Sequence, residues 1–201
     1  MTGLAEWLTV GGAVEPWEQL GLVVHDVLIP LFGTGIRIAP EAEPGIVGWA
    51  LSGLAEPVTQ IDGLPTEVVP PATPIFVEHP SGAIGLDHVV ITTDSLERTC
   101  QAIEGVTAAP LKRVREVGAM RQGFHRLGGL IVEVVEREGL PEGPASFWGL
   151  VLNVEDLDAA VSQIGPDAIS APRPAVQPGR SIATVQESAG LGLPVALMTP
   201  G

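Results

Sequence analysis

Between residues 86 and 164 the chain twice runs an apolar segment into a polar cap and then into an amphipathic helix. Leu86-Asp87-His88-Val89-Val90-Ile91-Thr92-Thr93-Asp94-Ser95-Leu96 can be set above Phe147-Trp148-Gly149-Leu150-Val151-Leu152-Asn153-Val154-Glu155-Asp156-Leu157. The helices agree in phase. Leu96, Cys100 and Ile103 share one face, and Leu157, Val161 and Ile164 repeat the spacing, as a helix with one buried stripe requires. Thr93 or Asp94 is the expected cap of the first helix, with Glu97 completing a capping box, and Asn153 that of the second. Extended segments follow each helix, over 106–136 and 168–198. In the first, Leu127-Gly128-Gly129-Leu130 reads as a hairpin turn. Pro141-Glu142-Gly143-Pro144 separates the two copies.

The first seventy residues read as a weaker third copy: a strand over 6–12, a short helix over 15–22, and strands over 27–32, 35–38 and 45–52. A connector containing Pro57, Pro65, Pro70, Pro71 and Pro74 leads into Ile75-Phe76-Val77-Glu78-His79-Pro80. Three modules are therefore expected: 1–74 including the connector, 75–140, and 145–201. An internal repeat of this kind marks units that bury their faces against one another.

Composition narrows the functions open to such a fold. Hydrophobic residues make up 45% of the 201 and charged residues 17%, enough for a packed core. Ten basic against twenty-four acidic residues give a net charge of −14, which repels nucleic acid and anionic membranes. No apolar run has the length of a membrane helix; the stretch over 20–32 is interrupted by His25, Asp26 and Pro30. The start, Met1-Thr2-Gly3-Leu4, lacks a basic leader, and Cys100 is the single cysteine. A cytoplasmic protein is expected. On its helical stripe, Cys100 reads as packing rather than as a nucleophile. Gly33-Thr34-Gly35 has no phosphate-loop Lys-Ser/Thr after it, and no Gly-x-Ser-x-Gly elbow occurs.

The segment 86–91 with its Asp-Ser-Leu helix start resembles the opening of a module of the vicinal oxygen chelate superfamily, which includes glyoxalases, bleomycin-resistance proteins and extradiol dioxygenases. Phe124-His125-Arg126-Leu127-Gly128-Gly129-Leu130-Ile131-Val132-Glu133 resembles the last hairpin of that module, and His79-Pro80-Ser81-Gly82-Ala83 is similar to glyoxalase-like, actinobacterial-type members. The resemblance implies an α+β fold in which βαβββ modules form a curled, open, barrel-like mixed sheet with helices outside. It also implies a divalent metal (Zn, Ni, Mn or Fe) held by up to four residues, one from the first and one from the last strand of each module. The first module then offers His88 and Glu133 as ligands, with Glu133 a candidate proton shuttle.

The second module departs from the pattern, since Gly149 falls opposite His88 and Ala196 opposite Glu133. Two side-chain ligands are fewer than the three a catalytic zinc site keeps. A two-residue turn at Gly128-Gly129 would pair Phe124 with Glu133 and send His125 to the far face; a turn one residue longer would reverse this. Gln122, Phe124, Arg126 and Glu133 would then share the cavity side, and Arg126 would pair with Glu133 or bind an anion. Arg113, Arg115, Arg121 and Arg180 are further candidates for an anionic ligand, or simply solvated strand residues. Trp148 reads as a stacking wall or as core. His88 is a metal ligand, a metal-free ligand contact, or structural.

Two classes of function remain. One is a metal-free binding protein of the bleomycin-resistance kind, taking a small anionic or aromatic molecule between two modules at His88, Gln122, Phe124, Arg126, Trp148 and Arg180. The other is a divalent-metal lyase or epimerase of the glyoxalase type using His88 and Glu133; an extradiol dioxygenase, which by resemblance needs two histidines and a glutamate, fits less well. The unmatched N-terminal module would cover a sheet edge or meet a second copy in a homodimer.

Overall fold

In the computed structural model, residues 2–73, 75–137 and 139–201 are described. Met1 at the chain start, Pro74 of the connector and Glu138 lie outside them. The N-terminal part comprises β1 (Leu4–Gly11), α1 (Glu15–Gln19), β2 (Leu28–Ile29), β3 (Gly35–Ala39), β4 (Gly45–Ser52), β5 (Gln60–Ile61) and β6 (Leu64–Val68). The next part comprises β7 (Ala83–Thr93), α2 (Leu96–Thr107), β8 (Arg113–Val117), β9 (Met120–Leu127) and β10 (Leu130–Arg137). The last comprises β11 (Ser146–Val154), α3 (Leu157–Ile164), β12 (Arg173–Pro174), β13 (Ser181–Thr184) and β14 (Val195–Met198).

The strands form two mixed sheets. One has six strands in the order β2-β3-β1-β4-β6-β5, the other eight in the order β12-β13-β14-β11-β7-β10-β9-β8. The larger sheet is two βαβββ units joined through antiparallel pairing of their first strands, β7 and β11. Each first strand also pairs in parallel with the last strand of its own unit. This is the curled α+β architecture that the resemblance implies.

Strand alternation gives the larger sheet two faces. Val89, Ile91, Val132, Val134 and Leu152 are fully buried on the convex face. Helix α2 packs there through Leu96, Cys100 and Ile103. Its approach depends on Gly123: a Cβ there would lie 2.8 Å from Cys100 Sγ and 3.1 Å from Leu96 Cδ1. Cys100 is thus a packing residue, and burial pushes its thiol up to about 11.

The helix caps differ from expectation by one to three residues. Ser95 caps α2 by accepting from Arg98 N, and Asp156 caps α3 by accepting from Ala159 N. Thr93 instead bonds the backbone N–H of Ser95, and Glu97 pairs with Arg121 rather than closing a capping box. Several oxygen-bearing residues precede each helix, and the one whose extended backbone immediately precedes the first turn takes the cap.

The connector is also more ordered than its prolines suggest. Residues 64–68 form β6, which pairs with β4 even though Pro65 lies within it. Thr66 supplies the donor, to Thr59 O at 2.9 Å, and β6 lies next to the sheet edge, where a proline is tolerated.

The six-stranded sheet is covered within its own chain. Trp49 on β4 meets Phe147 on β11 edge-to-face at 5.3 Å. Arg98 on α2 binds Asp62 of the β5–β6 turn at 2.9 Å, and one continuous core runs through both sheets. Among the described residues no helix is long and apolar enough to cross a membrane.

Candidate functional site

The concave face of the eight-stranded sheet encloses a cavity of about 390 Å³. Its walls are mostly apolar, from Val90, Val135, Leu150, Val151, Ile182 and Val195. His88, Gln122 and Glu133 supply polar groups on the floor, and Arg137 and Arg173 also line the space.

Register decides which side chains face inward. The Gly128-Gly129 turn pairs Leu127 with Leu130 and Phe124 with Glu133, so Gln122 and Glu133 face the cavity while His125 turns away. His125 is buried on the convex side, and its Nδ1–H donates to Ala109 O at 2.9 Å. Burial lowers its pKa, and its Nε2 has no protein partner.

Glu133 accepts from Gln122 Nε2 at 2.8 Å and lies 3.7 Å from His88 Nε2. Burial raises its pKa, opposed by His88 and Arg115. Behind His88 stands Asp87, whose Oδ1 is 2.7 Å from His88 Nδ1. Asp87 Oδ2 accepts from Arg180 Nη2 at 2.8 Å. Burial alone would raise the Asp87 pKa, but the bonds from His88 and Arg180 outweigh it and hold the carboxyl well below the usual range. An ionised Asp87 only accepts, so His88 Nδ1–H donates to it and the ring turns Nε2 toward Glu133. A buried carboxyl whose pKa is raised by desolvation thus faces an imidazole nitrogen across 3.7 Å. The pair is able to take or give one proton at the cavity floor.

Three expected ligand contacts sit elsewhere. Arg180 is held by Asp87, by Asn153 Oδ1 at 2.7 Å and by Thr199 O at 2.7 Å. It braces the site from behind and does not line it. Phe124 and Arg126 have the inward register but lie beyond the cavity's lining, and Arg126 is exposed. Arg121 points outward to Glu97 and Glu136. Trp148 is no core residue: it is 49% exposed at the cavity. The register shift between Phe147 and Gly149 makes it the extra residue of a bulge, which aims its ring away from the core. His79 is fixed away from the cavity: its Nδ1 accepts from Val23 N at 3.0 Å and its Nε2–H donates to Pro30 O at 2.7 Å.

Among the cavity residues that sequence reasoning missed are Val90, Thr92, Val135, Arg137, Arg173 and Thr184. The alternation along β7 and β10 carried the signal for the first four, whereas Arg173 and Thr184 arrive through a two-residue strand and its partner.

A metal fits this floor poorly. Across β7 and β11, His88 pairs with Val151 and Val90 pairs with Gly149, so the two-fold relating the modules puts Gly149 where His88 stands. Val90 neighbours Glu133 and Val151 neighbours Ala196, so Ala196 stands where Glu133 does. A Cβ on Gly149 would lie 2.5 Å from Pro194 O and 3.0 Å from Pro194 Cβ. The second module thus offers no side-chain ligand at these positions, and at one of them no room for one. Among the described residues no group of three or more His, Cys, Asp or Glu is placed to hold a metal ion.

Comparison with solved structures matches this architecture. A mutant of 4-hydroxymandelate synthase from Streptomyces coelicolor superposes with a TM-score of 0.70 at 14% identity, covering 100% of this chain and 93% of that one. Methylmalonyl-CoA epimerase from Mycobacterium tuberculosis superposes with a TM-score of 0.50 at 15% identity, covering 60% and 90%. The chain has the vicinal oxygen chelate fold. At these identities the likeness is one of fold, and function has to be argued from the site. A scan against protein families matches none, and a search of curated proteins finds no match.

Proposed function

We propose that the chain binds a small organic molecule, anionic or aromatic, in the concave cavity of its larger sheet, without a resident divalent metal. The observation that carries this reading is the asymmetry of the floor. His88 and Glu133 face an apolar wall whose symmetry-related positions are Gly149 and Ala196, the first of them closed to any side chain. A volume of about 390 Å³ lies at the lower end of the range for small-molecule sites, and apolar walls with a few convergent polar groups are their usual chemistry. In the bound state, Gln122 and the Glu133 carboxyl would orient a polar group of the ligand while Trp148 covers its apolar side.

A second reading, proton transfer of the lyase or epimerase kind, is favoured by the 3.7 Å approach of His88 Nε2 to Glu133. In it the Glu133–His88 pair itself would move the proton, with α-ketoaldehyde adducts and CoA thioesters as the compounds to screen.

The test is titration with anilinonaphthalene sulfonate in excess chelator. One-to-one binding is expected, lost in Ala196→Phe, which fills the floor, and in Thr184→Trp, which closes the exposed mouth. Binding that survives both variants, or that needs added metal, overturns the reading.

A further inference from the structure

We propose that the ligand is an amphipathic organic anion, its apolar body in the cavity and its charged group held by a fringe of arginines made of Arg113, Arg115, Arg137 and Arg173. This rests on the cavity being the binding site. Register supplies the first observation. On β8, Arg113 pairs with Phe124 and Arg115 with Gln122. On β10, Arg137 pairs with Met120. All three therefore share the face of Gln122 and Glu133, because directly opposed residues in a ladder point the same way. Arg173 approaches from the opposite edge on β12 and lines the same space.

Charge pairing supplies the second. Arginines off this face are neutralised: Arg37 by Glu67, Arg98 by Asp62 and Asp94, Arg121 by Glu97 and Glu136, Arg180 by Asp87. Among the described residues no ion pair involves Arg113, Arg115, Arg126, Arg137 or Arg173. The chain has twenty-four acidic residues against ten basic ones, so random placement would give these arginines carboxylate neighbours. Among the described residues Glu133 is the one acid lining the cavity, and burial raises its pKa. The concave face is thus a positive strip on a negative protein. It attracts anions into a low-dielectric groove and offers planar guanidinium forks for carboxylate, sulfonate or phosphate oxygens.

The floor and the fringe divide the work of recognition. Across β8, β9 and β10 the strand spacing of about 4.8 Å places Arg113 roughly 10 Å from the Glu133 backbone, so a short apolar body spans from floor to fringe.

Calorimetric titration with octanol, octanoate and octyl phosphate tests the proposal, since the three share a chain and differ in headgroup. Wild-type protein should bind both anions at least about ten-fold tighter than octanol. Raising NaCl from about 50 to about 300 mM should erode that advantage. Arg113→Gln/Arg115→Gln should reduce it several-fold, with Arg137 and Arg173 carrying the remainder, and Arg121→Gln, on the outer face, should leave all three unchanged. Preference of octyl phosphate over octanoate identifies a phosphoester as the natural headgroup, and the reverse a carboxylate; either supports the proposal. Equal affinity for octanol and the anions, or an anion preference undiminished in the double variant, overturns it and leaves the cavity reading standing. Binding of none of the three, or binding of all three that Thr184→Trp does not reduce, overturns the cavity reading and this proposal together.

Discussion

Replacing Arg180 with methionine separates the structural role of this arginine from the ligand-binding role that its position in the sequence suggested. The methionine keeps much of the aliphatic stem and removes the guanidinium. Three hydrogen bonds go with it: to Thr199 O, Asn153 Oδ1 and Asp87 Oδ2, each 2.7–2.8 Å. The Arg180 and Asp87 side chains are only 12% and 8% exposed. Asp87 is left as a buried carboxylate whose remaining partner is His88. Breaking a buried pair by removing one member costs about 3–5 kcal/mol; the surviving His88 bond puts the expectation near the lower figure. Urea unfolding near neutral pH, followed by far-UV circular dichroism and tryptophan fluorescence, reads the loss as a lower midpoint at unchanged slope.

The pH dependence gives an independent sign. Asp87 has its folded pKa depressed, so its contribution is present above the unfolded carboxylate value and is lost as pH falls through the folded one. Wild type should therefore lose stability on acidification more steeply than Arg180→Met. Asp87→Asn in the Arg180→Met background should recover part of the loss, because the orphaned charge is gone. A loss below about 1 kcal/mol, the scale of exposed pairs, or an unchanged acid slope would refute the bracing role.

Other consequences follow from single residues. Gly149→Ala forces a Cβ against Pro194 O and should cost about 1–3 kcal/mol in urea unfolding; a neutral result would show that β14 yields easily and that the closed ligand position is not closed. Glu133→Gln should stabilise the protein near neutral pH, because a buried acid with a raised pKa costs stability as pH climbs past the unfolded value. The difference should vanish in acid, and a destabilised variant at neutral pH would count against the assignment. His79 and His125 have depressed pKa values caused first by burial, so the stability tied to their neutral forms is present above about pH 6.5 and falls as pH drops below it. Their imidazole titration midpoints in NMR should fall below the ordinary value of about 6.5; a midpoint at or above it would contradict this.

The module order was legible in the sequence because both repeats carry the same local program, an apolar strand, a capped helix and an extended return, in the same phase. The inward register of Glu133 was legible because a two-residue glycine turn fixes pairing on both sides of itself. The losses at Gly149 and Ala196 could be read by aligning the repeats, whereas the approach of Pro194 to Gly149 is a tertiary fact with no sequence period. Arg180 was misassigned because its partners, Asp87 and Asn153, lie ninety-three and twenty-seven residues away. Trp148 escaped because a bulge breaks the alternation that would place it. The arginine fringe was half visible: Arg113 and Arg115 stood out, but only strand pairing separates them from Arg121, which faces outward.

Metal analysis tests the central claim most directly. Untagged protein is assayed as purified and after titration with Ni, Zn, Mn and Fe(II), in wild type and in His88→Ala. The account predicts no stoichiometric metal in either, and anilinonaphthalene sulfonate binding that chelator leaves unchanged. One equivalent of tightly held metal in wild type, lost in His88→Ala, would contradict it and restore the metal-dependent enzyme.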